Sequence, residues 1–240
     1  MDDDRLYFRQ LLSGREFARR DALARQMVNF VYLIGDREKG EAVAIDPAYD
    51  VGALLDILAA DGLRLTGVLA THYHADHCGG DIMGYAIEGV RELLGRDGGA
   101  VPIHVQRAES EWVQRSTGIS ESDLVVHDSG DVVHVGDIPI TLMHTPGHTP
   151  GSQCFVVDGR LVAGDTLFLE GCGRTDLPGS DPDAMYESLT QRLATVPDSA
   201  VLYPGHLYSR EPSATMGETR SRNFVFRIPT LEQWRQFMGG

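Results

Sequence analysis

Apolar positions change their period several times along the chain, and each change marks an element. Residues 28–34 and 41–46 are rich in β-branched and aromatic side chains, and the polar stretch 35–40 between them predicts a hairpin. Asp46-Pro47 stops its second strand. Over 50–61, Val51, Leu54, Leu55 and Leu58 recur at helical spacing, with Gly62 placed to cap the end. The short apolar run 67–70 predicts a buried strand. From 79 to 115 the pattern predicts a Gly-rich flap, a helix over 87–94, a turn at 95–99, a strand over 103–105 and a helix over 108–115. Short β segments follow at 124–127, 132–135, 138–143, 154–157 and 161–163, joined by Gly and Asp turns, and together they predict a second sheet. Asp181 as N-cap and Pro182 at the first helical position open a helix running to about 194, before a strand at 200–203. A polar helix over 216–222 and an amphipathic end at 231–238 close the chain.

With 240 residues and 42% hydrophobic content the chain can bury a full core. No linker or repeat divides it, so residues 1–240 are expected to form one domain, with 210–240 as a short helical tail. A formal charge of −14 opposes attraction to phosphate backbones and anionic lipid, so neither nucleic acid nor a membrane is an expected partner. No apolar run approaches the roughly 20 residues that span a bilayer. The start, Met1-Asp2-Asp3-Asp4-Arg5, is acidic where a secretory signal would be basic, which predicts a soluble, cytoplasmic protein. Cys78, Cys154 and Cys172 suit free thiols in a reducing compartment.

Chemistry concentrates in Thr71-His72-Tyr73-His74-Ala75-Asp76-His77-Cys78-Gly79-Gly80, at the end of the apolar run 67–70. Three imidazoles and a carboxylate crowded into one loop are costly unless a cation neutralises the acid and accepts the nitrogen lone pairs. Nitrogen and oxygen donors together suit zinc, iron or manganese rather than calcium. His72 and His74, two apart, can point the same way, whereas the adjacent Asp76 and His77 must diverge, so one loop can serve two neighbouring metals. His148, Asp165 and His206 add further candidates, each at a predicted strand end among small residues. His104, His127, His134 and His144 lie outside these motifs and are expected to be structural or exposed.

The first loop, then His148 in Thr145-Pro146-Gly147-His148-Thr149, Asp165 in Gly164-Asp165-Thr166 and His206 in Pro204-Gly205-His206, resembles the metallo-β-lactamase-fold hydrolase superfamily across 28–208. That resemblance implies an α/β fold, a four-layer αββα sandwich with the site at one edge of the paired sheets. It further implies one metal on His72, His74 and His148, a second on Asp76, His77 and His206, and Asp165 bridging them.

Two metals about 3.5–4 Å apart activate a bridging water and polarise a carbonyl oxygen, so hydrolysis by a metal-bridging hydroxide is the expected chemistry, with Asp76 or a metal-bound water managing the proton. A thiolate needs little protonation to leave, which suits a small thioester. Gly164-Asp165-Thr166-Leu167-Phe168 followed by Gly171-Cys172-Gly173-Arg174 resembles the branch that holds the hydroxyacylglutathione hydrolases and the persulfide dioxygenases. By resemblance to the hydroxyacylglutathione hydrolases Arg174 and Tyr208 would contact the glutathione moiety, and the expected cofactor is two Zn2+ per chain. Phe8-Arg9-Gln10, the stretch 32–38 and Gly173-Arg174-Thr175-Asp176 are similar to the persulfide dioxygenases, which hold one Fe2+ on positions matching His72, His148 and Asp165. Residues 170–173, 184–189 and 203–226 are similar to zinc hydrolases of polyketide pathways, which act on carrier-bound thioesters. A small-molecule thioester or thiol-derived substrate is common to all three alternatives, and a homodimer is compatible with each.

Overall fold

The computed structural model describes residues 5–94 and 101–238. The first half runs β1 (Leu6–Leu12), α1 (Ala22–Met27), β2 (Phe30–Asp36), β3 (Glu41–Ile45), α2 (Val51–Ala60), β4 (Arg64–Leu69), α3 (Ala75–Cys78), β5 (Gly80–Ile82), β6 (Tyr85–Ile87), α4 (Val90–Leu94), β7 (Ile103–Gln106), α5 (Ser110–Thr117) and β8 (Leu124–His127). The second half runs β9 (Val132–Val135), β10 (Ile138–His144), β11 (Gln153–Val157), β12 (Arg160–Gly164), α6 (Pro182–Glu187), β13 (Val201–Pro204), β14 (Ala214–Thr215), α7 (Met216–Arg222) and α8 (Leu231–Met238).

Two six-stranded sheets result, ordered β1-β2-β3-β4-β7-β8 and β14-β13-β12-β11-β10-β9. Their facing sides share one core, in which Tyr32, Ile34, Ile45 and Leu69 of the first sheet meet Ile140, Leu142, Phe155 and Val162 of the second. The outer side of the first sheet packs against α1, α2, α4 and α5 through residues such as Ala24, Leu54, Leu58, Val90 and Val113. The outer side of the second is covered by α6, α7 and α8 through Met185, Met216 and Trp234. The layers are thus helix, sheet, sheet, helix, as expected for an αββα sandwich.

Most elements fall where the pattern places them. The hairpin pairs Tyr32 with Ile45 and Ile34 with Val43, and α2 is opened by Asp50, whose side chain accepts from the Ala53 amide at 3.0 Å. Asp181 caps α6, with Pro182 first in the helix.

Four local expectations need correction. The pattern gives no strand before residue 28, yet β1 pairs with β2 along its whole length, from Leu6–Asp36 to Leu12–Phe30. The helix expected over 87–94 begins only at Val90, because Tyr85–Ile87 folds back on Gly80–Ile82 as a hairpin turned at Met83 and Gly84, with φ of 53° and 89°. The helix expected over 108–115 is a 3-10 turn, Arg107–Glu109, leading into α5, and that expected to about 194 continues from α6 through a π-turn, Ser188–Arg192, to a 3-10 turn, Leu193–Thr195. The turn expected at 95–99 lies outside the described residues.

Candidate metal centre

Each chemistry-bearing segment leaves a strand at the same edge of the sandwich: 72–77 after β4, His148 between β10 and β11, Asp165 directly after β12 and His206 after β13. The first loop is held from beneath by Asp46, which takes a left-handed φ of 53° at the end of β3. Its carboxylate accepts from Thr71 N at 2.7 Å, Thr71 Oγ1 at 2.6 Å and His77 Nδ1 at 2.8 Å. Because the Thr71 hydroxyl proton goes to Asp46, the 2.8 Å contact from His72 Nδ1 to Thr71 Oγ1 is donated by the imidazole.

The same logic fixes three more rings. Carboxylate and carbonyl oxygens only accept, so His77 donates from Nδ1 to Asp46, His148 from Nδ1 to Arg174 O at 2.8 Å, and His206 from Nδ1 to Met27 O at 2.8 Å. In each ring Nδ1 carries a proton and Nε2 turns inward, so that the neutral ring is the tautomer a metal ligand requires.

Two groups form. Ligand atoms of His72, His74 and His148 lie within 4.8 Å of one another, as do those of Asp76, His77 and His206. Asp165 stands between them: its Oδ2 lies 3.6 Å from His148 Nε2 and 3.3 Å from His206 Nε2, and its Oδ1 lies 3.5 Å from His77 Nε2. This close approach requires glycine at 205, where a Cβ would fall 2.3 Å from Asp165 Oδ1, and at 173, where it would fall 2.9 Å from the His148 ring.

The donors fit a cation. Among the described residues, His72 Nε2 and Asp165 Oδ1 are buried without a hydrogen-bond partner, a costly condition that metal coordination relieves. Burial works against charge on His77, but Asp76, Asp165 and Asp46 raise its pKa to about 10. Burial likewise opposes ionisation of Asp165, yet His206 and His77 hold its carboxyl well below the usual range. Carboxylates gathered this deeply demand positive charge, which a proton or a divalent ion can supply. Mixed nitrogen and oxygen donors suit zinc or iron.

Three supporting residues went unread in the sequence. Asp46 figured only as a strand terminator. Glu109, buried ahead of α5, accepts from Tyr73 N at 2.8 Å and Gly151 N at 2.6 Å, joining the first loop to the His148 loop, and burial pushes its carboxyl up to about 7. Asn29, buried at the start of β2, directs its side-chain nitrogen at Asp76 Oδ2, 3.0 Å away; a polar residue inside an apolar run was the one available signal.

A cavity of about 960 Å3 opens over the groups, bordered by His74, Asp165, Phe168, Arg174 and Tyr208, with Met83 of the β5–β6 hairpin at its rim. The exposed Arg174 guanidinium is engaged by Asp176 through two 2.8 Å hydrogen bonds. Tyr208 is half exposed and stacks on His206. Outside the groups, His104 pairs with His127 at 2.8 Å and His144 contacts Pro150 O at 2.9 Å. Cys78 is buried, its thiol pushed up by desolvation.

The model of the metallo-beta-lactamase superfamily matches residues 25–206. The chain belongs to this superfamily. It is 32% identical over 240 residues to human mitochondrial persulfide dioxygenase ETHE1, covering 96% of this chain and 86% of that protein. It is 30% identical over 209 residues to BaeB of Bacillus velezensis, a probable polyketide biosynthesis zinc-dependent hydrolase, covering 87% and 86%. Among solved structures, ETHE1 from Myxococcus xanthus superposes with a TM-score of 0.77 at 29% identity, over 98% of this chain and 90% of that one. The chain is therefore a metal-binding enzyme scaffold of a superfamily whose members here include both hydrolases and an oxygenase. Among the described residues no helix is long and apolar enough to cross a membrane.

Proposed function

We propose that this protein is a metal-dependent hydrolase of small thioesters that holds two Zn2+ ions. The observation that carries it is the pair of donor groups sharing one carboxylate, Asp165, which approaches histidines of both. His72, His74 and His148 would hold one ion, Asp76, His77 and His206 the other, and Asp165 both. Bound there, the ions would activate a water and polarise the thioester carbonyl.

The chain's own groups supply the rest. Asp76 borders the cavity, and the carboxylate oxygen that does not hold the ion can take the proton released by the attacking water. A thiolate leaves without a dedicated acid, and no such group need stand opposite. Phe168 and Leu177 give the cavity an apolar wall, while Arg174 and the Tyr208 phenol supply polar contacts for the thiol-bearing moiety. The zinc dependence stated for BaeB supports the choice of metal.

The test is thiol release from S-lactoylglutathione by the zinc-loaded chain, with Asp165→Ala in parallel. Loss of nearly all activity in the variant is expected; undiminished turnover would remove the basis of the proposal.

Similarity to persulfide dioxygenase along almost the whole chain supports an alternative, one Fe2+ on His72, His148 and Asp165, a two-histidine, one-carboxylate set suited to oxygen chemistry. The Asn29 amide against the second group favours it too, since a protein donor already serves those ligands.

A further inference from the structure

Asn29 stands in an unusual relation to the second donor group. Its Nδ2 lies 3.0 Å from Asp76 Oδ2, 3.2 Å from His77 Nε2 and 3.4 Å from His206 Nε2. These are the very atoms a metal would bond. A supporting residue normally holds the opposite nitrogen of a ligating imidazole, and here those positions are taken, by Asp46 for His77 and by the Met27 carbonyl for His206. The Asn29 amide nitrogen therefore faces the same three atoms that a cation would.

Its orientation is imposed from behind. Tyr49, in a left-handed backbone conformation with φ of 76°, donates its hydroxyl to Asn29 Oδ1 at 2.8 Å. That contact turns the carbonyl end of the amide away from the donor group and the NH2 end toward it. Rotating the amide would offer Oδ1 as an oxygen ligand but would forfeit the donated bond from Tyr49. Among the described residues no side-chain amide faces the first group in this way: His72 Nε2 has no hydrogen-bond partner, and His148 Nε2 has only His74 Nδ1, 3.0 Å away.

We infer that Asn29, oriented by Tyr49, competes with the second metal ion and makes the two donor groups unequal, the first binding tightly and the second weakly. When only the first group is loaded, the Asn29 NH2 stands where the second cation would, its two hydrogens serving Asp76 Oδ2 and one imidazole at a time. Binding at the second group then requires the Asn29 NH2 to be displaced or rotated. The inference rests on the two-group assignment above, and it makes metal number a property of Asn29 and Tyr49 as much as of the ligands.

The test titrates full-length protein, stripped by a chelator, with Zn2+ alone by isothermal calorimetry, with bound zinc per chain counted after dialysis. The wild-type chain should take its first equivalent at least about tenfold more tightly than its second. Asn29→Ser, which removes the competing amide, and Tyr49→Phe, which frees it to rotate, should each tighten the second step by about tenfold and leave the first unchanged. Circular dichroism and a melting curve establish that each variant is folded, and the milder Tyr49→Phe carries the test should Asn29→Ser be unstable. One zinc in the wild type and two in either variant supports the inference equally. Equal second-step affinities in all three proteins, or a second step weakened by the substitutions, would overturn the role of Asn29 while leaving the two-group assignment standing. Absence of a second equivalent from all three would overturn that assignment, and the inference with it.

Discussion

The Tyr208 ring lies flat on the imidazole of His206, with centroids 4.6 Å apart and planes 7° from parallel. Phe168 meets the Tyr208 ring edge-on at 5.0 Å, so two aromatic side chains enclose one face of a candidate ligand and leave the phenol edge at the cavity. Packing and binding are separable here. Tyr208→Phe keeps the stack and removes only the hydroxyl, and should raise KM about threefold to tenfold with kcat little changed, the loss expected for one hydrogen bond to substrate. Tyr208→Ala uncovers His206 as well and should lower kcat too. Steady-state kinetics on a soluble thioester checks both.

A second expectation concerns acid stability away from the metal groups. Asp36, inaccessible at the end of β2, accepts from Arg5 Nε at 3.0 Å and Nη2 at 2.7 Å, and from the Asp137 amide at 2.9 Å. It ties the start of β1 to the β9–β10 turn of the other sheet. The Arg5 guanidinium holds its carboxyl well below the ordinary 3.8 against the opposing effect of burial. The unfolded chain therefore binds the proton first as pH falls, so this contribution is present above the unfolded pKa and is lost progressively below about pH 4. Asp36→Asn should melt several degrees lower at neutral pH, and its melting temperature should fall less steeply than wild type below about pH 5. Thermal melts across the acid range decide it.

The C-terminal helix is expected to be integral to the site. Trp234 is fully buried in α8 and donates Nε1–H to Pro182 O at 2.7 Å, at the head of α6. The preceding Asp181 amide donates to Gly147 O at 2.8 Å, beside His148, and a Cβ on Gly147 would lie 2.5 Å from the Met185 side chain. Trp234→Ala should cost about 3–5 kcal/mol of stability, the range for deleting a large buried aromatic, and should loosen the His148 loop. Urea denaturation gives the first quantity; zinc retained after dialysis reports the second.

Residues whose chemistry is explicit in their own side chains were legible in the sequence. His72, His74, Asp76, His77, His148, Asp165 and His206 announce themselves by density and by the glycines around them, and the structure brings all seven to one edge. Supporting residues were not legible, because their roles come from what lies across the fold. Asp46 is 25 residues from Thr71 and Glu109 is 42 from Gly151, and nothing local marks either as their partner. The same holds for secondary structure. α2, α6 and the β2–β3 hairpin follow from spacing and caps, whereas β1 exists because β2 offers it a free edge. The β5–β6 turn demands a left-handed Met83, which residue preferences argue against.

Oxygen uptake by the iron-loaded protein supplied with glutathione persulfide tests the central claim most directly, because hydrolysis consumes no oxygen and dioxygenation must. A two-metal thioester hydrolase predicts no uptake above the protein-free rate, under conditions where the zinc-loaded chain releases thiol from S-lactoylglutathione. Rapid, enzyme-dependent oxygen consumption, abolished in Asp165→Ala, would contradict it and assign the protein to one-iron chemistry on His72, His148 and Asp165.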